Sequence, residues 1–396
     1  MNIVKKANFS DIPLKLFEPK WGSSLAETII ELERLRVKEL GGTAPPYIFF
    51  QLKNIFQMFE SLGSARIEGN RTTLAEFVEK VIELPDKKTE DEEIKEIFNL
   101  EKAIEFIEDN VHRDGELTKA HIFEIHKIIV DGLPPPPHGE GSKYPGEFRP
   151  FNVTIQKSKH IPPNHNHVQR YVEELIDFVN QKSKPQHDLL ITSLSHHRMA
   201  WIHPFDNGNG REVRMFTYAM LIKQGYQVKA GRILNPTAIF CMNRDRYYKM
   251  LEQADSGEND KSLSWCEYVV DGLKVEMEKI DKLLDKQYLK KAILLPALHF
   301  SLEQENVTQR EYEILKGTIN HPEMQIKSSD IEKIIGQESA VQRSRIIGKL
   351  KGKGMLMPLT KNGRIYTIKF SNNYLLRGVV KLLERNSFIP QSLNRN

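Results

Sequence analysis

The segment His203-Pro-Phe-Asp-Asn-Gly-Asn-Gly-Arg-Glu-Val-Arg214 brings together several residue types that phosphate chemistry uses. A histidine follows an apolar run that ends at Ile202, and the glycines after it predict a tight turn. The backbone N–H groups of such a turn, at the start of a helix, point towards one anion. Arg211 and Arg214 are three residues apart, which places both on one face of that helix. A base, an anion-binding turn and two guanidinium groups together indicate a site that binds a polyphosphate and removes a proton.

This segment resembles the signature of the Fic/Doc domain family, His-x-Phe-x-Asp/Glu-Gly-Asn-Gly-Arg-x-x-Arg. The matching residues are His203, Phe205, Gly208, Asn209, Gly210, Arg211 and Arg214. One position departs from the pattern, because Asn207 stands where the family has an acid and Asp206 lies one place earlier. The alternative is a chance glycine-rich turn after a buried histidine, and so many matches in register favour the resemblance.

The resemblance implies a protein adenylyltransferase, which transfers AMP from ATP to a Ser, Thr or Tyr hydroxyl of a protein target or of itself. It implies that His203 is the general base. The nucleotide-binding residues that it implies in the signature are Asn207, Gly208, Asn209, Gly210, Arg211 and Arg214, with the two arginines on the β- and γ-phosphates. It also implies Mg²⁺, held by Asn207 or alternatively by Asp206. Two other functions remain open: a DNA-binding transcriptional regulator that uses the fold as a nucleotide sensor, and a transferase with a different phosphate-containing donor.

Residues 148–155, Phe-Arg-Pro-Phe-Asn-Val-Thr-Ile, are rich in β-forming side chains and predict a short hairpin or an extended flap. A hairpin in this position resembles the family's flap, which holds the target segment through its main chain beside the nucleotide. The resemblance places four residues of the flap at the nucleotide: Val153, Thr154, Ile155 and Gln156.

A second segment, Asn243-Arg-Asp-Arg-Tyr-Tyr, resembles the part of the family that walls the adenine pocket. Tyr247 and Tyr248 are the pair of rings that would face the base. Asp255 stands where the family often has an asparagine that contributes to nucleotide binding. The alternative for the two tyrosines is a pair of core aromatic residues on one helix.

Ser64-Ala-Arg-Ile-Glu68-Gly69 resembles the family's inhibitory motif, Ser/Thr-x-x-x-Glu-Gly/Asn. Ser64 and Glu68 are one helical turn apart, and Gly69 is suited to end the helix. A glutamate on a helix is usually a solvated residue, but here the motif accompanies the signature. The resemblance implies that Glu68 pairs with Arg214, misdirects the phosphates of ATP and so inhibits the enzyme. It also implies that Glu68 positions water to reverse the modification.

Apolar residues at three- and four-residue spacing predict a mostly α-helical chain. We expect a Fic-type helical bundle with a β-hairpin flap, followed by a small winged helix-turn-helix. The expected division is an N-terminal helical region with the inhibitory helix (1–110), a Fic catalytic core (111–275), connecting helices (276–320) and a winged-helix-like module (321–396). The chain has 396 residues and two cysteines, too few for a disulfide framework, and no apolar run near the roughly 20 residues of a membrane span. A cytoplasmic protein is the expectation.

The last 76 residues, 321–396, form the expected C-terminal module and contain a stretch with a large excess of basic residues. Capping boxes at Ser329 and Ser339 predict two short helices, and Asn362-Gly363 predicts a hairpin turn. Between Lys327 and Lys369 there are ten basic residues and three acidic ones. A recognition helix in this fold contacts DNA phosphates, and the candidates for that contact are Arg343, Arg345 and Lys349. Winged helices also dock proteins or dimerise, so DNA and a homodimer both remain open as partners.

Overall fold

The structure is a computed structural model, which describes residues 9–37, 43–155, 158–226, 235–336 and 339–393. It is mostly α-helical, as the apolar spacing predicts. A π-helical segment, Leu289–Leu294, connects α12 to α13. The helices are α1 (Ser24–Val37), α2 (Pro46–Glu68), α3 (Leu74–Glu83), α4 (Glu92–Asn110), α5 (Lys119–Val130), α6 (Val168–Asn180), α7 (Asp188–Ile202), α8 (Asn209–Lys223), α9 (Thr237–Cys241), α10 (Arg244–Ala254), α11 (Asn259–Leu283), α12 (Lys286–Tyr288), α13 (Leu295–Glu303), α14 (Gln309–Asn320), α15 (Ile331–Ile335), α16 (Ala340–Gly352) and α17 (Leu375–Arg385).

Polar side chains at the helix starts explain several of these boundaries. Thr73 and Glu76 form a reciprocal capping box at the start of α3, and Ser339 forms the predicted box with Gln342 at α16. The capping box expected at Ser329 does not form. A 3₁₀ turn, Ser328–Asp330, precedes α15, and the carboxylate of Asp330 accepts from the backbone N–H of Lys327 (2.8 Å). The apolar spacing over 238–254 alone would predict one helix, but this stretch is divided into α9 and α10, and Asn243 caps the second.

A small antiparallel sheet lies in the C-terminal part of the chain. Its strands are β1 (Gln325–Lys327), β2 (Leu356–Pro358) and β3 (Ile365–Ile368), in the order β1-β3-β2. The β2–β3 connection contains the predicted Asn362-Gly363 turn, and Asn362 has a φ of 70°. Strand β1 was not predicted, since three residues are too few for an alternating pattern to show.

The flap, defined as residues 148–155 and 158–163, is not a β-hairpin. None of these described residues forms a strand. The guanidinium of Arg149 donates to the carbonyls of Phe151 (2.9 Å) and Pro163 (2.6 Å), and prolines lack the N–H that a strand ladder needs. A two-stranded ribbon on its own is also marginally stable. The flap is therefore an extended loop fastened at both ends.

The chain forms two compact units, each assembled from separate segments. The first contains residues 1–39, 60–72 and 89–277, and the second contains 40–59, 73–88 and 278–396. In the first unit, α8 is buried along nearly its whole length and packs against α4, α5 and α7. This packing fixes the signature segment, which joins α7 to α8. Among the described residues, no helix has the length and apolar character to cross a membrane.

Candidate active site

The signature folds into a turn between α7 and α8 that leaves the start of α8 open. His203 ends α7 in a left-handed conformation (φ 51°), which is costly for a residue with a side chain and is characteristic of functional sites. Gly208 (φ 77°) precedes α8, whose first N–H groups have no partner within the helix. The Asn209 amide makes two 2.9 Å hydrogen bonds with the main chain of Phe205. The Asn209 side chain therefore braces the turn, and its expected role in nucleotide binding stays a prediction.

The electrostatic surroundings of His203 keep its ring neutral. Burial, reinforced by the positive charge of Arg149, lowers the pKa of His203 to about 4. The backbone of Ala200 and the charge of Glu68 act in the opposite direction, but they do not outweigh burial. One ring nitrogen therefore carries the hydrogen, and the other is free to accept a proton at neutral pH. This is the protonation state that a general base requires.

Arg214 is enclosed by the end of α2. Its Nε donates to Ser64 Oγ (2.8 Å), and its Nη2 donates to Ser64 O (2.9 Å) and Glu68 Oε1 (2.8 Å). The Arg214 side chain is 1% exposed and that of Glu68 is 26% exposed. Burial opposes ionisation of Glu68, but the charge of Arg214 and its hydrogen bond outweigh burial and lower the pKa. The pair is thus ionised, and Ser64 gives Arg214 two further acceptors, its hydroxyl and its carbonyl oxygen.

The Glu68 carboxylate also lies over the first turn of α8. A Cβ placed on Gly210 would collide with Glu68 Oε1, so this carboxylate lies directly against the backbone of the first turn. Helix N-termini attract anions through their free N–H groups and dipole. Glu68 therefore lies at a helix N-terminus, where an anion is favoured, and is paired with the adjacent guanidinium of Arg214.

Arg211 is fully buried and is held by two other acids. Its Nη1 lies 2.9 Å from Glu96 Oε1, and its Nη2 donates to the carbonyl of Glu140 (2.6 Å) and lies 3.4 Å from its carboxylate. Burial raises the pKa of Glu96, and the charge of Arg211 opposes that rise. Glu96 also accepts from Asn70 Nδ2 (2.8 Å). The Arg211 guanidinium thus binds protein groups in this structure, and its expected phosphate contact stays a prediction.

Residues 140–143 form a loop that packs on the signature. Asp206 accepts from the Ser142 hydroxyl and from the N–H of Lys143 (2.9 Å). The carboxylate proposed as the alternative metal ligand is therefore used to hold this loop. The Asn207 amide donates to Gly141 O (2.9 Å) and lies 3.5 Å from Glu140 Oε2. Among the described residues, no three His, Cys, Asp or Glu side chains form a metal-binding group.

The two tyrosines of α10 occupy different environments. Tyr247 is 2% exposed, and its hydroxyl hydrogen-bonds to His196 Nε2 (2.9 Å). Its ring packs in a cluster with Trp265, so the expectation that it faces the base is corrected to a core position. Tyr248 is 41% exposed and leaves its ring available as a wall. Asp255, expected at the nucleotide, is paired with His197 (2.9 Å).

The other predicted contacts lie in the flap and on α16. In the flap, Thr154 is exposed, whereas Val153 and Ile155 are partly buried; Gln156 lies outside the described residues. On α16, Arg343 is paired with Glu332 (2.8 Å), Lys349 is paired with Glu311 (3.2 Å) and Arg345 is exposed. Two of the three candidates for DNA contact thus carry a carboxylate partner. DNA contact stays a prediction.

Comparison with known families identifies the part of the chain that carries this site. Residues 116–221, which include the whole signature, match the model of the Fic/DOC family. The chain contains a Fic/DOC domain. The matched range includes α5 to α7 and most of α8, together with the flap and the loop that holds Asn207.

Curated relatives of this Fic domain are named protein adenylyltransferase Fic. One from Nematostella vectensis is 28% identical over 204 residues, which are 49% of this chain and 42% of the relative. One from Drosophila willistoni is 30% identical over 199 residues, which are 49% of this chain and 36% of the relative. The chain therefore spans less than half the length of either relative.

Solved Fic structures share the fold. A Fic family protein from Desulfovibrio desulfuricans aligns with a TM-score of 0.52 and 18% identity, over 89% of this chain and 98% of that one. A Fic-domain-containing signalling protein from Bacteroides thetaiotaomicron aligns with a TM-score of 0.50 and 16% identity, over 66% of this chain and 97% of that one.

Three residues around the site were missed by the sequence analysis: Glu96, Glu140 and Arg149. Glu96 lies on α4, where an acid on a helix gives no signal of burial. Glu140 stands between Gly139 and Gly141, and this pair of glycines indicates a loop that approaches other backbone closely. Arg149 could have been noticed as a charge beside Phe148 in a largely apolar run.

Proposed function

We propose that this protein is an autoinhibited adenylyltransferase that transfers AMP from ATP to a Ser, Thr or Tyr hydroxyl of a protein target or of itself. The observation that carries the proposal is the Glu68 carboxylate at the start of α8 on Arg214, because it marks an anion site beside the neutral ring of His203. The names of the curated relatives support the same reaction.

The reaction follows from where these groups lie. The phosphates of ATP would bind at the open N-terminus of α8, with the γ-phosphate on Arg214 once Glu68 has moved away. His203 would remove the proton from the target hydroxyl, whose oxygen attacks the α-phosphorus in line. Diphosphate leaves as the P–O bond to the β-phosphate breaks. Alignment and neutralisation of charge supply most of the rate enhancement in phosphoryl-type transfer.

Oxygen donors suited to Mg²⁺ lie beside this turn. The amide oxygen of Asn207 and the half-exposed carboxylate of Glu140 are on the same side of the signature. Mg²⁺ is commonly held by one or two carboxylates together with substrate phosphates and water, so a closed cage of protein ligands is not required. When bound with ATP, the ion would supply charge neutralisation at the phosphates. Glu140 would thus provide the acid that position 207 lacks.

Competition for Arg214 is the proposed mechanism of inhibition. A charge-assisted Arg–carboxylate pair worth roughly 2–3 kcal/mol would suppress turnover about 30- to 150-fold. While the pair is intact, the γ-phosphate has neither the guanidinium nor free space at Gly210. The same carboxylate, beside the site of the transferred phosphate, would position water to remove AMP from the modified target.

The test is transfer of label from ATP labelled at the α-phosphate, measured on the purified chain. We expect label to be transferred, and His203→Ala to reduce the rate by about 10²- to 10⁴-fold while ATP affinity changes only a few-fold. Undiminished transfer by His203→Ala would contradict the role of His203. Binding of ATP without any transfer, even after Glu68→Gly, would instead indicate a nucleotide sensor.

A further inference from the structure

Arg149 is a buried arginine whose hydrogen bonds go only to main-chain carbonyls. Its side chain donates to His203 O (2.8 Å), Phe151 O (2.9 Å) and Pro163 O (2.6 Å), and the residue is 1% exposed. Its own N–H donates to Pro204 O (2.9 Å). Among the described residues, no carboxylate forms an ion pair with this guanidinium.

A charge in this position is unfavourable unless it performs a task. Burial without a counter-ion disfavours the charged form, and it lowers the pKa of Arg149 to about 10. The group remains protonated at neutral pH, and its planar fork satisfies three carbonyls that no neutral side chain could bind together. Two of the carbonyls belong to the flap, and the third belongs to His203.

We propose that Arg149 is a positioning residue, which fastens both ends of the flap to the main chain of His203 and so sets the histidine relative to the segment that holds the target. The inference rests on the proposed function of this site. His203 is held in a left-handed conformation, and the bond from Arg149 to its carbonyl helps to maintain that conformation. A movement of the flap is therefore transmitted to the ring of His203.

The electrostatic role of Arg149 provides a measurement that a purely structural brace would not affect. Burial and then the charge of Arg149 lower the pKa of His203, and His160 contributes in the same direction. Glu68 and the backbone of Ala200 act in the opposite direction. Loss of the Arg149 charge should therefore raise the pKa of His203.

Two substitutions separate the charge from the three-way hydrogen bonding. Arg149→Lys keeps the charge but can no longer span the three carbonyls, whereas Arg149→Met removes both. The pKa of His203 is followed by NMR of ring-labelled histidine, with His203→Ala to assign the signal. The attachment of the flap is followed by hydrogen exchange of two of its bonded N–H groups, that of residue 149, which donates to Pro204 O (2.9 Å), and that of Ser158, which donates to Ile155 O (3.2 Å). Both measurements are made without ATP or target, so a failure of adenylyl transfer would overturn the proposed function alone.

We expect Arg149→Met to raise the pKa of His203 by about one unit, and Arg149→Lys to leave it within about half a unit of wild type. Exchange of the flap should become at least about tenfold faster in both variants. An unchanged pKa of His203 in Arg149→Met, or unchanged exchange in Arg149→Lys, would overturn the proposal. If Arg149→Met fails to fold, faster exchange with a retained pKa in Arg149→Lys still distinguishes the two roles.

Discussion

Position 207 departs from the family motif, and its contacts bring an acid from another part of the chain close to it. The Asn207 amide donates to Gly141 O, a bond that a carboxylate could not make. That bond holds the loop of residues 140–143. In this loop, Glu140 Oε2 lies 3.5 Å from the amide nitrogen of Asn207. The acid expected from the sequence at 207 is thus matched in space by one from a residue far away in the chain.

We expect Glu140→Gln to weaken the binding of Mn²⁺, as a probe for Mg²⁺, by the ATP-bound protein. Loss of one charge beside the ion should lower the affinity by about tenfold, equivalent to about 1.4 kcal/mol. The measurement is electron paramagnetic resonance of Mn²⁺ in the presence of ATP. Glu147→Gln is the matched control, because Glu147 is an exposed acid in the following turn and its loss changes the net charge equally. Equal affinities for the two variants would rule out Glu140 as a ligand.

At the scale of elements, α2 does more than carry the inhibitory motif. Glu60, two turns before Glu68, is fully buried and accepts from the N–H of Thr237 (2.9 Å) and from its hydroxyl. Thr237 is the first residue of α9, so this acid joins two helices of the first unit. Burial raises the pKa of Glu60 to about 8, and the hydrogen bonds from Thr237 only partly offset this rise.

The raised pKa makes the stability of the protein depend on pH. Glu60 has a higher pKa in the folded than in the unfolded protein, so its protonated form stabilises the fold. Its contribution to the free energy of unfolding is complete below about pH 4.5. The contribution is lost as pH rises towards 8, by up to about 1.4 kcal/mol per pH unit. Glu60→Gln keeps an acceptor and cannot ionise. We expect its free energy of unfolding, measured in urea, to fall less between pH 5 and 8 than that of wild type. Parallel curves would contradict an acid that is neutral when folded.

The sequence predicted most elements but not how the loops would be arranged. Amphipathic spacing predicted a mostly α-helical chain and a capping box predicted the start of α16, because both signals are local. The prediction of a hairpin in the flap was wrong, because β-forming side chains do not reveal that Arg149 binds the carbonyls of this segment. The same limit applies to the ion pair between Glu96 and Arg211, in which neither local sequence indicates the other.

At the scale of the whole molecule, the order of segments along the chain differs from their grouping in space. The expected division into four contiguous regions remains a prediction. In the structure, α2 and α11 are each divided between the two compact units. Apolar periodicity shows which face of a helix is buried, but not what covers it. Only the family motif could have indicated that Ser64 and Glu68 lie against Arg214, 150 and 146 residues away.

The central claim is that the Glu68–Arg214 pair holds an adenylyltransferase inactive, and the rate of α-phosphate label transfer after Glu68→Gly tests it most directly. We expect the rate to rise by about 30- to 150-fold over wild type, the amount that a pair of roughly 2–3 kcal/mol suppresses. Arg214→Ala in the same background should abolish the gain, because the released guanidinium is what the γ-phosphate needs. A rate for Glu68→Gly no higher than that of wild type, with ATP still bound, would contradict the account.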